Sequence, residues 1–420
     1  MNKFISRKKL LFSLVVIFLM FISKSYAIDV YSNSAILIDG KTGEVLFEKN
    51  SNQKIYPAST TKILTAYIAL SQGYSMNEQI IPSRTAVMSV PKGSSLAYFS
   101  ANEILTLEQV LYCLMLPSGN DAANILAEHI SGSVSDFADL MNSTAKNLGA
   151  TNSNFVNANG LHNDNHYTTA ADLAKIACAC MKIEKFREIV SQAKYDMPAT
   201  NISKTSRTFL NTNKLLLSGG EYFYQYATGI KTGFTTQAGN CLVASASKDG
   251  LDLISVVLGG SIIPVNKSTA FLDTINLFDY GFENYHNEQL IAQNKIITSC
   301  VPKKSGKKTL NLAAADSLNI TVKNGDTPVF DHVTTINNKI VAPINKGDVL
   351  GTISYTMDGK PIGIVNLVAQ DDVKKEHVIF VILRILLYFV ISVIMLGVGL
   401  RIFNEIRKFI KRNSRKKGNR

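Results

Sequence analysis

Pro57-Ala58-Ser59-Thr60-Thr61-Lys62-Ile63-Leu64-Thr65-Ala66-Tyr67-Ile68-Ala69-Leu70 puts a serine at the head of an apolar run, with a lysine three positions on. The run from Lys62 to Leu70 reads as a buried helix. Pro57-Ala58 ends the extended chain before it, and Ser59 falls where helix N-terminal residues belong. Positions i and i+3 share a helix face, so Ser59 and Lys62 can touch. Such a pair is one way to make an alkoxide at neutral pH without histidine. The same spacing recurs elsewhere, at Ser89/Lys92 and Ser143/Lys146 among others, but the apolar helical context sets this copy apart.

Two further triplets follow in order, Ser118-Gly119-Asn120 and Lys231-Thr232-Gly233. Lys231 closes Tyr226-Ala-Thr-Gly-Ile-Lys-Thr-Gly233. Two β-like runs come next, Asn240–Ser245 and Leu251–Leu258, split by Lys248-Asp249-Gly250. That pattern predicts an antiparallel meander with Lys231 on its first strand, a rigid edge from which to present a cation and a hydroxyl. A second Lys-Thr-Gly, Lys41-Thr42-Gly43, follows Asp39-Gly40 between Ala35–Ile38 and Glu44–Phe47, and reads as a hairpin turn.

With these three motifs in order, the chain resembles the serine D-alanyl-D-alanine carboxypeptidases, the low-molecular-mass penicillin-binding proteins of peptidase family S11. The likeness runs from about Ala35 to about Ala369. It includes Tyr56-Pro-Ala-Ser-Thr-Thr-Lys62, Ser118-Gly-Asn-Asp-Ala-Ala123, Asn159-Gly-Leu161, His166-Tyr-Thr-Thr169 and Thr228-Gly-Ile-Lys-Thr-Gly233. It implies an α+β fold, a β-lactamase/transpeptidase-like sheet flanked by helices, followed by a small all-β sandwich domain. Many members of that family hold the membrane by a C-terminal amphipathic helix, so the C-terminal membrane helix that the apolar run of this chain suggests is a modest departure. The implied substrate is the peptidoglycan stem pentapeptide, which loses its terminal D-alanine through an acyl-enzyme. β-Lactam antibiotics would be covalent inhibitors, and no cofactor or metal is implied.

Carried onto this chain, Ser59 would be the nucleophile and Lys62 its base. An ordinary lysine is protonated near pH 7, so Lys62 needs burial and a neighbouring cation, Lys231, to become neutral. Ser118 would pass a proton toward the departing nitrogen, and Asn120 would orient Lys62 and the substrate amide. By itself Ser118-Gly119-Asn120 would suggest only a helix cap, with Asp121 opening the helical run Ala122–Ile130. Lys231 and Thr232 would hold the terminal carboxylate, while Gly233 would let substrate lie against the strand. The oxyanion donors would be the N–H groups of Ser59 and, from the resemblance, Phe234. Family members often carry an arginine after the Gly-Gly that ends the last meander strand. Here Gly259-Gly260 leads instead to Lys267, the candidate substitute, without the bidentate fork.

Rival readings share these residues. A class A β-lactamase uses a glutamate between the second and third motifs, and none occurs from His129 to Ile183. A non-catalytic peptidoglycan-binding scaffold would be expected to lose Lys62, Ser118 or Lys231, and none is lost. Endopeptidase cleavage of cross-links uses the same residues and stays open. His162 and His166 lie four apart in a loop-like stretch with no adjoining glutamate, which argues against zinc.

The remaining sequence describes export and attachment. Arg7, Lys8 and Lys9 precede the apolar run Leu10–Ile22, and Ser25-Tyr26-Ala27 fits a cleavage site, so residues 1–27 read as a signal peptide. The catalytic domain is expected over 28–284, the β-sandwich over 285–372 and a membrane-anchoring helix over 373–403, leaving a basic cytoplasmic tail over 404–420. β-like runs in the second domain are Thr309–Leu312, Leu318–Val322, Lys339–Val341, Val349–Tyr355 and Ile362–Val368, with Asp358-Gly359 as a hairpin turn. Val378–Leu400 would span about 34 Å as a helix, against a hydrocarbon layer of about 30 Å. Arg384 interrupts it where its head group can snorkel to the interface; an interfacial amphipathic helix is the alternative.

Formal charge is +12. The first 27 residues carry five basic groups, and from Arg401 onward nine basic residues face only Glu405. Removing +5 and +8 leaves −1 for residues 28–400, so nothing in the body's charge favours nucleic acid. A basic tail past an apolar span fits the positive-inside rule, with the tail cytoplasmic and the body on the periplasmic or extracytoplasmic side of a bacterial inner membrane. Membrane lipid is thus an expected partner, and oligomeric state stays open. The five cysteines form no spaced framework and read as buried thiols.

Overall fold

Strand β1, Ser34–Asp39, is buried at every position, which marks a strand covered on both faces. The computed structural model describes residues 28–263, 267–306 and 309–417; the expected signal segment, 1–27, lies outside the described residues. β1 pairs antiparallel with β2, Val45–Lys49, through the turn that holds Lys41-Thr42-Gly43, as its sequence predicted. The meander also forms: β3 is Ala227–Thr235, β4 Gly239–Lys248 and β5 Leu251–Gly260. Together they make one antiparallel sheet in the order β2-β1-β5-β4-β3, with the Lys231 strand at its edge.

Alternation along the strands supplies two cores. Ile36, Ile38, Val243, Ile254 and Val256 face one cluster, which contains helix α1, Lys62–Ser71, through Ile63, Leu64 and Ile68. Leu37, Leu242, Leu253 and Val257 face the other, with Leu277 and Phe278 of a later helix, Thr269–Asn284. Sheet between helices is the α+β arrangement that the sequence implied. Further helices join the first cluster, among them α2 at Leu107–Met115, α3 at Asn120–Ser131 and α4 at Ala170–Met181. α2 opens with a capping box, in which Thr106 and Gln109 satisfy each other's backbone N–H groups.

Glu288–Ile320 with Gly325–Arg420 forms a second unit. Its sheet is antiparallel and five-stranded, in the order β6-β7-β10-β9-β8. These strands are β6 Ile296–Cys300, β7 Leu310–Ala314, β8 Phe330–Ile336, β9 Val349–Met357 and β10 Lys360–Ala369. Asp358 and Gly359 both have positive φ, 49° and 77°, as a tight two-residue hairpin requires. One expectation fails here. Lys339–Val341 is not a strand; Val341 makes a single bridge to Lys303. The pairing stops at two bonds, Lys303 N–H to Ile340 O and Ala342 N–H to Lys303 O, and Pro343 has no N–H to extend it.

Helix α5, Val378–Lys417, is 40 residues long and continues beyond the expected limit of 403 into the basic segment. Its apolar side chains from Val378 to Leu400 are exposed, and it is long and apolar enough to cross a membrane. The Arg384 guanidinium reaches back to Glu376, just ahead of the helix. Four cysteines are buried and Cys300 is half-buried, all as free thiols.

Candidate active site

Ser59 lies in one turn of 3-10 helix, Ala58–Thr61, immediately before α1. The turn packs on the sheet edge at Gly233, where a side-chain carbon would come within 3.0 Å of Ser59 N and 3.1 Å of Pro57 O. The room left by Gly233 on this side is therefore filled by the serine's own turn. Gly160 does the same from the other side. Its φ is +85°, and a side-chain carbon there would sit 1.9 Å from Ala58 O. Ala58 itself has φ 48°, so the residue before the serine is held in the left-handed region by the packing around it.

Lys62 is wholly buried, and its amine touches three groups. Nζ lies 2.9 Å from Ser59 Oγ, 2.6 Å from Asn120 Oδ1 and 2.7 Å from the Asn159 carbonyl. The two amide oxygens can only accept. A neutral amine satisfies both with its two hydrogens and keeps its lone pair for the third neighbour, a hydroxyl that can donate. Burial, then repulsion from Lys231, drives the Lys62 pKa well below the ordinary lysine value, and Asp121 opposes them. Lys231 is also fully buried, and burial lowers its pKa to about 7.

Asn120 is the first residue of α3, with Gly119 as its N-cap. Asp121 follows in the first turn. Its carboxylate accepts from Ala97 N at 2.9 Å and Phe99 N at 3.2 Å, and Asn120 N donates to Ser95 O, so the α3 N-terminus carries the 93–99 segment to the cleft. Ser118 has φ 68°, and its buried hydroxyl has no hydrogen-bond partner among the described residues.

Ser59, Ser118, Asn120, Thr232, Gly233 and Phe234 line one cleft of about 540 Å³, together with Gly93, Thr212 and Lys214. Thr232 Oγ1 donates to Thr212 Oγ1 at 2.7 Å, and Lys231 Nζ reaches the Thr232 carbonyl at 3.1 Å. Lys267 is not among the lining residues. Its ammonium pairs with Glu221 at 3.3 Å, and among the described lining residues the exposed cation is Lys214. Thr212 and Lys214 were missed because a Thr-Asn-Lys stretch in a loop has no motif around it. His166 turns inward toward Thr61, and His162 lies 3.4 Å from Asp164. Among the described lining residues there is no carboxylate.

A serine beside a buried, neutral-tending lysine, in a cleft walled by an edge strand that carries a second buried lysine behind the wall, defines a serine acyl-transfer enzyme with an amine as base. Comparison with known proteins gives the family. Residues 22–261 match the model of the S11 peptidases, D-alanyl-D-alanine carboxypeptidase, and residues 285–375 match the penicillin-binding protein 5 C-terminal domain. The D-alanyl-D-alanine carboxypeptidase DacF of Bacillus subtilis is 33% identical over 349 residues, covering 82% of this chain and 86% of that protein. DacC of Escherichia coli is 28% identical over 355 residues, 81% and 84% of the two chains. Among solved structures, penicillin-binding protein 5 from Haemophilus influenzae superposes with a TM-score of 0.61 at 30% identity, covering 83% of this chain and 98% of that one. The chain belongs to the S11 peptidase family, the serine-type D-alanyl-D-alanine carboxypeptidases.

Proposed function

We propose that this protein removes the terminal D-alanine from peptidoglycan stem pentapeptides, with Ser59 as nucleophile and Lys62 as its base. The observation that carries the assignment is the set of partners around the Lys62 amine: two obligate acceptors and the Ser59 hydroxyl. Lys62 takes the Ser59 proton as Oγ attacks the carbonyl of the D-Ala-D-Ala bond. The oxyanion forms against the N–H groups of Ser59 and Phe234, donors of a kind worth about 3–4 kcal/mol in the transition state. Ser118 passes the proton to the departing D-alanine nitrogen, and Asn120 holds both Lys62 and the substrate amide. Lys231, Thr232 and Thr212 hold the terminal carboxylate, whose arrival favours the charged form of Lys231. Lys214, rather than Lys267, adds positive potential at the cleft.

With no carboxylate among the described lining residues, slow hydrolysis of a penicilloyl-enzyme is favoured, so β-lactams are covalent inhibitors rather than substrates. α5 anchors the protein in the membrane, with the catalytic body exported and the basic end cytoplasmic. The test is mass spectrometry after reaction with benzylpenicillin, beside D-alanine release from a D-Ala-D-Ala pentapeptide. Wild-type protein gains one penicilloyl mass and releases D-alanine, and Ser59→Ala does neither. Adduct formation by Ser59→Ala would remove the assignment.

A further inference from the structure

His166 is buried below the nucleophile turn, and its hydrogen bonds fix its tautomer. Val156 N–H donates to Nδ1 at 3.3 Å, so Nδ1 carries no proton and Nε2 must. Nε2 lies 2.9 Å from Thr61 Oγ1, and the Thr61 hydroxyl lies 2.9 Å from the Ala58 carbonyl. A hydroxyl has one hydrogen, and a carbonyl can only accept, so Thr61 donates to Ala58 O and accepts from His166. The direction of the whole chain is thereby set: Val156 N–H to His166, His166 to Thr61, Thr61 to Ala58 O. Burial lowers the His166 pKa to about 4, in keeping with a neutral ring.

The end of this chain is informative. Ala58 C=O and Ser59 N–H belong to one peptide unit, and in a trans peptide the two bonds point in opposite directions. Ala58 O faces Thr61 and Gly160, so Ser59 N–H faces away from them, toward the strand that carries Gly233 and Phe234. A hydrogen bond accepted by the carbonyl holds that peptide plane and polarises its N–H in the same sense.

We infer that His166, acting through Thr61, is a positioning residue that holds the Ala58–Ser59 peptide so that the Ser59 N–H serves as an oxyanion donor. The inference rests on the reading of Ser59 as nucleophile and oxyanion donor. It separates Thr61 from its neighbour Thr60, whose hydroxyl bonds Pro57 O at 2.7 Å and lies off this chain. A positioning role predicts loss in the transition state with little change in ground-state binding.

The experiment uses the full-length protein in detergent, with a D-Ala-D-Ala pentapeptide and with an alkylboronic acid analogue of D-alanine. The boronate's tetrahedral adduct places an oxygen on the oxyanion donors. Thr61→Val, which keeps shape and removes the hydroxyl, lowers kcat about tenfold or more, a share of the hundredfold or greater loss seen when such a donor is removed outright. KM stays within about twofold, and boronate affinity falls by the same factor as kcat/KM. Thr61→Ser, which restores the hydroxyl, recovers most of the rate. An unchanged kcat in Thr61→Val, or a rise in KM that accounts for the whole loss, overturns the inference. Should Thr61→Val not fold, His166→Gln and His166→Asn decide. Gln can supply a donor at the Nε2 position and retains most of kcat, whereas Asn reaches only the Nδ1 position and loses it. Equal rates in the two overturn the inference. Ser59→Ala runs alongside: if it still forms a penicilloyl adduct, the reading of the site has failed, rather than the positioning of its peptide.

Discussion

Replacing Lys231 by methionine tests the electrostatics of the site through stability, separately from catalysis. Lys231 is about 1% exposed, and burial lowers its pKa to about 7 from an ordinary value of 10.5. The unfolded chain therefore binds more protons than the folded one over this interval, so wild-type stability rises with pH between about 7 and 10.5. Below pH 7 burial of this one lysine costs about 5 kcal/mol, the shift multiplied by about 1.36 kcal/mol per unit. The cost falls to roughly 2 kcal/mol at pH 9 and nearly vanishes by pH 10.5. Methionine has similar volume and no charge. It removes this cost, and it also leaves the Thr232 carbonyl without the donor now 3.1 Å away, an offset of about 1–3 kcal/mol that does not depend on pH. Lys231→Met should thus gain on wild type by roughly 2 kcal/mol on going from pH 9 to pH 7, while its acylation by benzylpenicillin is much reduced. Denaturant midpoints of the two proteins in detergent at both pH values measure this. A stability difference that is the same at pH 7 and pH 9 would refute a charge-burial cost at Lys231.

Other consequences are as direct. Gly160→Ala puts a carbon 1.9 Å from Ala58 O and demands φ +85° of an alanine, so it should destabilise by about 2 kcal/mol or more and slow acylation; thermal melting and penicillin labelling check both. Lys214→Ala should raise the pentapeptide KM severalfold, whereas Lys267→Ala should leave it unchanged, because Lys267 is held by Glu221 away from the cleft lining; steady-state kinetics separates the two. Asp121→Asn weakens the anchoring of Ala97 and Phe99 and removes a charge that opposes the low pKa of Lys62. The half-maximal pH for acylation should then move down in this variant, and an upward move would contradict the sign of that interaction. A stop codon ahead of Val378 should release the protein from the membrane fraction on cell fractionation, since it removes all of the exposed apolar helix.

What could be read from sequence was local. The meander, the Lys41 turn and the Asp358-Gly359 hairpin each follow from a few adjacent residues, and the structure contains all three. Ser59 and Lys62 touch because a spacing of three repeats within a helical turn, so their contact needed no knowledge of the remaining chain. What escaped was set by distant segments. Asn159 offers a backbone carbonyl, and no residue type announces a carbonyl. Gly233 faces the serine's own turn because residues 57–60 pack on the strand edge, a contact between segments more than 170 positions apart in sequence. His166 stood within a recognised stretch, yet its task depends on meeting Thr61 across 105 positions. Lys267 was chosen for its place after the paired glycines, and Glu221, met only in the fold, claims it.

One measurement bears on the core of the account: the pH dependence of the rate at which benzylpenicillin acylates Ser59 in the intact protein. A Lys62 amine that burial and Lys231 keep neutral gives a rising limb whose midpoint falls far beneath 10.5. A midpoint near 10.5, the value of a lysine in water, would mean that Lys62 reaches neutrality no more easily here than in solvent and is not the base that activates the serine.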